Sequence, residues 1–443
     1  MSEFTDLPME QRLRHLLSHL GFRDAHFAGW LARDWLGLVT AAPDIVTSLT
    51  VVGSAPVELD VLTGLTSRLL VINGDRGPIA DRWRAVTGKL SQARIVQLRD
   101  YALFPWTDLT AERTDEVAAA MMELLDRTDT RRADASSLPA SSGEVAGITY
   151  RIRGSGPALV LMPLFFVPSQ WEPLVPRLAE RYTTIVLGGP EIGAVGVLEW
   201  RGRAAGYRQM LRSVIDEARL APNDSVLEVG VGSGAVSRWL AGHTRAANRI
   251  VGVDVNRYLL GEASALARQD GVNDVVEFRE GNAEALPFGD AAFDLTLSVT
   301  VIEEVDADRM LAEMVRVTKP GGRVAIVARA MDVPLLMNVA VPFALKVKLE
   351  APGFMGAISE HGCADASLYR RFREAGLIRL TAFPHWTAFS GGDRHVVDFL
   401  EAGFLGKLEP TEAAEWKRAR AEAEAEGTFF MTWPHHCAIG TKA

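Results

Sequence analysis

The stretch "APNDSVLEVGVGSGAVSRWLA" (221–241) decides the fold. It reads in order as a polar turn, a short buried strand, a glycine-rich loop and a helix. Gly230, Gly232 and Gly234 carry no Cβ, so backbone amides at the start of that helix can approach a ligand closely. Dinucleotide folds place G-x-G-x-x-G/A at the same point. With Ala235 in its last position, the loop by itself leaves a nicotinamide cofactor open.

The neighbouring segments narrow the choice. Glu228 stands two residues before Gly230. A carboxylate there would repel a pyrophosphate but can accept from the ammonium of an amino-acid ligand, directly or through water. "RIVGVDVN" (249–256) reads as a second buried strand ending in Asp254. An acid at that tip accepts from both ribose hydroxyls, of a nicotinamide dinucleotide and of an adenosyl group alike. "FREGNAEALPFGDAAFDLTLSVTVIEEV" (278–305) places Asn282 and Ala283 after a third strand and adds a fourth. "ADRMLAEMVRVTKPGGRVAIVARA" (307–330) then supplies a helix, a Pro-Gly-Gly turn and a fifth strand.

In this combination the region 205–443 resembles the class I S-adenosylmethionine-dependent methyltransferases. The resemblance is to the small-molecule type akin to the ubiquinone/menaquinone-biosynthesis and sterol methyltransferases. The resemblance implies an α/β fold, a Rossmann-like seven-stranded methyltransferase domain over 201–443, and S-adenosylmethionine as cofactor. Carried over residue by residue, Glu228, Gly230 and Gly232 face the methionine moiety and Asp254 the ribose. Asn282 and Ala283 bound the adenine, Ser298 or Val299 lines the pocket, and Val231, Gly234 and Val255 complete the cofactor set. The family more often has Asp at position 282. Asn keeps a carbonyl acceptor there and adds an NH₂ group.

Methyl transfer from a sulfonium mainly requires an aligned nucleophile and exclusion of water, so a base is sometimes unnecessary. The candidates are Glu304, beside Glu303 where family members often carry Glu-His, then His361 and His385. A hydrogen-bonded or surface histidine is the alternative for each. His435, His436 and Cys437 lie in a terminal strand, where neighbours point to opposite faces, so no metal site is expected. The apolar, Met-rich insert "AMDVPLLMNVAVPFALKVKLEAPGFMG" (330–356) suits either a cover over a partly apolar small-molecule acceptor or a core helix. A second reading of the domain is a cofactor-binding scaffold that transfers no methyl group.

The first 200 residues carry a different frame. "LRHLLSHLGFRDAHFAGWLARDW" (13–35) reads as helix, strand, sharp turn and helix, and "VTSLTVVGSAP" (46–56) as the next strand. Residues 10–126 resemble the second half of an α/β-hydrolase, and 145–190, with "RGSGPALVLMP", the first half. The halves stand in reversed order, as in a circular permutation joined by the linker 127–144 (within a domain 1–200). The catalytic set does not follow. Leu31 holds the nucleophile position of the G-x-S-x-G elbow, the acid slot falls near Gly77, and the histidine slot near Leu103–Phe104. His26 and Asp75 are misplaced for those roles. The region therefore reads as a non-catalytic α/β-hydrolase-like domain for docking, homodimerisation or acceptor-pocket formation. Trp30, Trp35, Trp83, Trp106 and Trp171 are candidates for interface anchors or core.

The composition agrees with this assignment. The chain has 443 residues, 48% hydrophobic and 23% charged, with a net charge of −9. Such an acidic balance argues against nucleic acid as a main partner. Two cysteines, Cys363 and Cys437, fit neither a disulfide framework nor a zinc motif. No apolar stretch has the roughly 20 residues of a membrane span. The polar start "MSEFTDLPME" is no signal peptide, and a cytoplasmic protein is expected. The run "AEWKRARAEAEAEGT" (414–428) reads as a solvated helix face.

Overall fold

A buried parallel strand needs an apolar side chain on both faces, so it appears in sequence as a short continuous apolar run. "SVLEV", "RIVGVD" and "FDLTLSV" are such runs, and each is a strand. The computed structural model describes residues 7–31, 35–54, 59–90, 92–103, 107–128, 141–165, 167–189, 192–352, 359–405 and 408–443. Residues 32–34, Phe104, Trp106, most of the linker 127–144 and the end of the insert 330–356 lie outside these ranges. The chain divides into two compact units, Met1–Gly196 and Val197–Ala443.

The first unit is built on β1 (Ala25–Gly29), β2 (Val46–Val52), β3 (Leu69–Arg76), β4 (Arg94–Ala102), β5 (Ser142–Val145), β6 (Ile148–Arg153), β7 (Ala158–Leu161) and β8 (Thr183–Gly188). They form one sheet in the order β4-β3-β2-β1-β7-β8-β6-β5. The pairings are parallel from β4 to β8 and antiparallel at β8-β6 and β6-β5. Two apolar clusters cover its faces. Trp83 and Trp171 are fully buried core residues whose indole nitrogens donate to the Ser54 and Met162 carbonyl oxygens, both at 2.6 Å.

The second unit holds β9 (Ser225–Val229), β10 (Arg249–Asp254), β11 (Val276–Glu280), β12 (Phe293–Val299), β13 (Thr318–Arg329), β14 (Ile378–Ser390) and β15 (Phe430–Thr441). Their order is β11-β10-β9-β12-β13-β15-β14, with β15 antiparallel to both neighbours. The chain moves outward from β9 through β10 to β11, then returns to the opposite side of β9 as β12. That reversal creates a crevice beyond the carboxyl ends of β9 and β12, where open α/β sheets bind ligands.

Helices Ala205–Ala218, Ala235–His243, Arg394–Leu405 and Pro410–Ala425 bury apolar residues on one face of this sheet. Helices Ala307–Val317 and Ser367–Glu374 do so on the other. The insert packs into this unit's core through Leu335, Met337, Val339, Leu345 and Leu349, while Leu336, Phe343 and Val347 stay exposed. The charged run at 414–428 is only half solvated. Trp416, Ala419 and Ala423, at helical spacing, face the core, and the Trp416 indole nitrogen donates to Glu401. Among the described residues no helix is long and apolar enough to cross a membrane.

Candidate functional site

Gly230, Gly232 and Gly234 all have positive φ, at 75°, 54° and 78°. At two of them space forbids a side chain as well. A Cβ on Gly230 would lie 2.2 Å from a Val301 methyl, and one on Gly234 would lie 2.7 Å from the Phe278 ring. The chain turns tightly because the amides of Gly230 and Val231 both donate to the Val253 carbonyl, at 2.8 and 2.9 Å. Gly234 then opens helix Ala235–His243, leaving its first amides directed at the crevice.

Asp254 ties this loop to the end of β10. Its two carboxylate oxygens accept from the Gly232 and Asn256 amides, each at 2.9 Å. Asn256 in turn caps helix Arg257–Gln269, accepting from the amides of Tyr258 and Leu259. Burial raises the Asp254 pKa, while the amide donors oppose that shift. Val255, beside it, is exposed.

Glu228 is buried at the end of β9 and accepts from the Ser237 hydroxyl. Burial pushes its carboxyl up to about 8; the Ser237 bonds oppose the shift and the Asp254 charge adds to it. A group held this way gains most from a cation placed against it. Ala283 and Val299 are buried and Asn282 is exposed. The Asn282 carbonyl accepts from the Glu284 amide at 2.8 Å, so its NH₂ is the group left for an outside partner. Ser298 donates to the Val229 carbonyl at 2.8 Å, joining β12 to β9 below the crevice.

Beyond β12 lies a polar cluster that no local motif announced. Arg201, on helix Ala194–Arg203, reaches the Thr300 hydroxyl at 3.4 Å. Its guanidinium carbon lies 5.0 Å from the centre of the Tyr207 ring and 5.8 Å from that of Trp433. Thr300 follows β12 with φ 58°, a costly conformation for a β-branched residue. Trp433 and His435 on β15 have ring centres 5.7 Å apart, and His435 Nδ1 faces the Thr387 hydroxyl at 3.3 Å. Burial, then the charges of Arg201, His385 and Arg329, hold the His435 pKa well below its ordinary value. Burial raises the Tyr207 pKa; Arg201 lowers it, and Glu228 and Glu303 raise it.

The base candidates separate. His361 is exposed, and its carbonyl accepts from the Ala307 amide. Glu304 is tied with Glu303 to Arg329. Burial raises its pKa, an effect the Arg329 charge opposes. His385 is half-buried opposite His435 on the neighbouring strand, and burial lowers its pKa. His436 faces away from His435, between Tyr369 at 2.8 Å and Asp332 at 2.7 Å. Among the described residues no group of three or more His, Cys, Asp or Glu could hold a metal.

In the first unit Leu31 is buried, and His26 is buried against the Ser48 hydroxyl at 2.7 Å. Asp75 accepts from the amides of Asp100 and Tyr101, both at 3.0 Å. A recess lined by Trp30, Leu103, Leu164, Phe165 and Gln170 measures about 20 Å³, the space of about one water molecule.

Residues 227–326 match the family described as a methyltransferase domain. The methyltransferase GfsG of Streptomyces halstedii is 36% identical over 123 residues, covering 28% of this chain and 43% of that protein. The ubiquinone/menaquinone biosynthesis C-methyltransferase UbiE of Hahella chejuensis is 31% identical over 121 residues, covering 27% of this chain and 49% of its own. The chain thus spans about half the length of the curated relatives it matches. Among solved structures, the geranyl diphosphate C-methyltransferase of Streptomyces coelicolor A3(2) is 18% identical with a TM-score of 0.32, covering 53% of this chain and 79% of that one.

Proposed function

We propose that the unit Val197–Ala443 binds S-adenosylmethionine and directs its methyl group to a small organic acceptor. One observation carries this reading. A loop after β9 with three positive-φ glycines is bonded to a carboxylate at the end of β10, with a buried, strongly perturbed carboxyl directly before the loop. The match to a methyltransferase domain over 227–326 supports it.

The residues present fit that cofactor. Burial raises the Glu228 pKa more than the Ser237 bonds and the Arg201 charge lower it, and an α-ammonium against it would hold it ionised. The Asp254 oxygens accept from backbone amides, among them Gly232 and Asn256, and keep acceptor capacity for a ribose hydroxyl. Gly232, with no Cβ, lets the loop backbone pass close to the ligand. When bound, the cofactor supplies an electrophilic methyl carbon on a positively charged sulfur. The chain's own part is to hold the acceptor in line beyond β12 and keep water away. Glu304 is a candidate base for an acceptor that arrives protonated; its raised pKa suits proton uptake, and its bond to Arg329 limits it.

For the unit Met1–Gly196 we infer a non-catalytic, permuted α/β-hydrolase-like domain. Counted from β5 to β8 and then from β1 to β4, its strands lie in the order 1-2-4-3-5-6-7-8, with antiparallel pairs only at 1-2 and 2-4. That arrangement supports the reversed halves read from sequence. Buried Leu31 and the one-water recess support the loss of chemistry.

Calorimetric titration of the full chain with S-adenosylmethionine, followed by mass spectrometry of a metabolite extract, tests the main reading. Binding together with products heavier by one CH₂ is expected. Absence of binding would refute it; binding without methylated product across the extract would favour the scaffold reading.

A further inference from the structure

Six buried polar atoms in the second unit have no hydrogen-bond partner among the described residues; besides Arg238 Nε and Asn256 Nδ2 they are Arg201 Nε, Tyr207 Oη, Glu303 Oε2 and His435 Nε2. Buried polar atoms are nearly always satisfied, so each orphan calls for an explanation. The last four belong together. Arg201 stacks on Tyr207 and Trp433, Trp433 neighbours His435, and Arg201 bonds Thr300, three residues before Glu303. Tyr207, Glu303 and His435 are each at most 1% exposed, so solvent does not satisfy them.

The charges in the cluster are unequal. Arg329 is paired with both Glu303 and Glu304, whereas Arg201 makes no direct ion pair among the described residues, although its charge also lowers the pKa of Glu228 and Glu304. A guanidinium cannot lose its proton, so Arg201 presents a standing positive charge between two aromatic faces. Position in the sheet indicates what meets it. Asn282, Asp254 and Glu228 follow or end β11, β10 and β9 in that order, so the assigned cofactor extends toward β12. Trp433 and His435 stand on β15, three strand positions past β9, about 14 Å away at the usual strand spacing. Arg201 and Tyr207 also interact with the Glu228 charge, so the cluster runs from the methionine end of the assigned cofactor site to β15, which is the acceptor side in this reading.

We propose that Arg201, Tyr207 and His435 form the acceptor's recognition site, and that the acceptor is a planar molecule bearing an acidic oxygen: a phenolate, an enolate or an aromatic carboxylate. The proposal rests on the methyl-transfer reading above. Arg201 meets the anionic oxygen, Tyr207 Oη and His435 Nε2 supply the remaining hydrogen bonds, and the Trp433 ring lies beside the planar body. An anion on oxygen, or on a conjugated carbon, uses its own electron pair for the new bond to the methyl carbon. The methyl–sulfur bond breaks with its pair remaining on sulfur, and the two opposite charges cancel. No proton need be removed at that step.

The test uses the full chain saturated with S-adenosylhomocysteine. Two acidic probes, 4-nitrophenol and 2-naphthoate, are compared with the neutral isosteres 4-nitroanisole and 2-naphthamide, by ligand-observed NMR. For 4-nitrophenol, the phenolate absorption band is also followed below its solution pKa. Wild type should bind the acidic probes at least tenfold more tightly than their isosteres and enhance the phenolate band. Arg201→Met should lose that preference and the band, and Tyr207→Phe should lose three- to tenfold in affinity. The affinity of Arg201→Met for S-adenosylmethionine should change less than threefold, which also reports correct folding. No preference for acidic probes, or a preference intact in Arg201→Met, would overturn the proposal. So would a tenfold or greater loss of S-adenosylmethionine affinity in Arg201→Met, since Arg201 would then serve the cofactor's own carboxylate. Failure of the wild type to bind S-adenosylmethionine would instead refute the methyl-transfer reading.

Discussion

The Gly232 amide donates to the Asp254 carboxylate at 2.9 Å, so the loop that follows one strand is held by the last residue of the next. The other Asp254 oxygen holds the Asn256 amide. One side chain therefore shapes both loops and, in the proposed reading, also accepts from the ribose. Asp254→Ala removes all of these bonds. Charge-assisted hydrogen bonds contribute about 1.5–3 kcal/mol each, so S-adenosylmethionine affinity should fall at least ~100-fold by calorimetry. Asp254→Asn, which keeps one acceptor, should lose roughly tenfold by the same count. Equal affinity in wild type and both variants would remove Asp254 from the site.

Gly230 meets two constraints that a double-mutant cycle can separate. Its φ of 75° costs a side chain roughly 1–2 kcal/mol, and a Cβ would press on the Val301 methyls at 2.2 and 2.9 Å. Gly230→Ala should therefore lower stability by about 2–4 kcal/mol, adding an overpacking cost to the conformational one. Val301→Ala in the same chain should recover the packing part and leave the conformational part. Strictly additive effects in chemical denaturation would mean that the two residues do not meet.

The raised pKa of Glu228 makes a signed prediction. Its carboxyl titrates near 8 in the folded chain and near its ordinary 4.5 when unfolded. Between those values the folded state holds the extra proton, so stability falls as pH rises from about 4.5 to about 8, then levels off. Glu228→Gln has no proton to lose. Its melting temperature relative to wild type should climb across that window, by the equivalent of a few kcal/mol. Saturating S-adenosylmethionine should flatten the wild-type slope, because the ligand cation takes over from the proton. Parallel melting curves at every pH would contradict the assignment.

Much of the local geometry of the proposed cofactor site was legible because its signals are local. Glu228, the three glycines and Asp254 sit at strand ends, where spacing along the chain translates directly into position. Asn282 shows the limit of that logic. Its residue type left both a carbonyl and an NH₂ available, and only the fold reveals the carbonyl turned to the Glu284 amide. Arg201, Tyr207, Trp433 and His435 were not legible as a set. They meet because β15 inserts between β13 and β14 and carries the end of the chain back to helices that precede β9. A cation, a phenol and an imidazole so distant in sequence share no periodicity. Burial misled at the helix 410–425, where alternating charge hid a core-facing Trp416.

Arg329 offers the sharpest test of the electrostatics next to this cluster. Its guanidinium joins fully buried Glu303 to Glu304, and the Arg329 backbone amide also faces Glu303 at 3.3 Å. Replacing Arg329 by Met leaves two neighbouring carboxylates without their cation. Breaking a buried pair from one side typically costs about 3–5 kcal/mol, and a loss of that size is expected in chemical denaturation. The sign of the pH dependence follows. Without Arg329 the Glu304 pKa, already raised by burial, rises further, so the folded variant holds a proton that the unfolded chain releases. Its deficit relative to wild type should be greatest at neutral and alkaline pH and shrink on acidification. Adding Glu303→Gln and Glu304→Gln to the Arg329→Met variant removes the stranded charges and should restore part of the loss. A deficit independent of pH and unaffected by those substitutions would mean that Arg329 acts through packing alone.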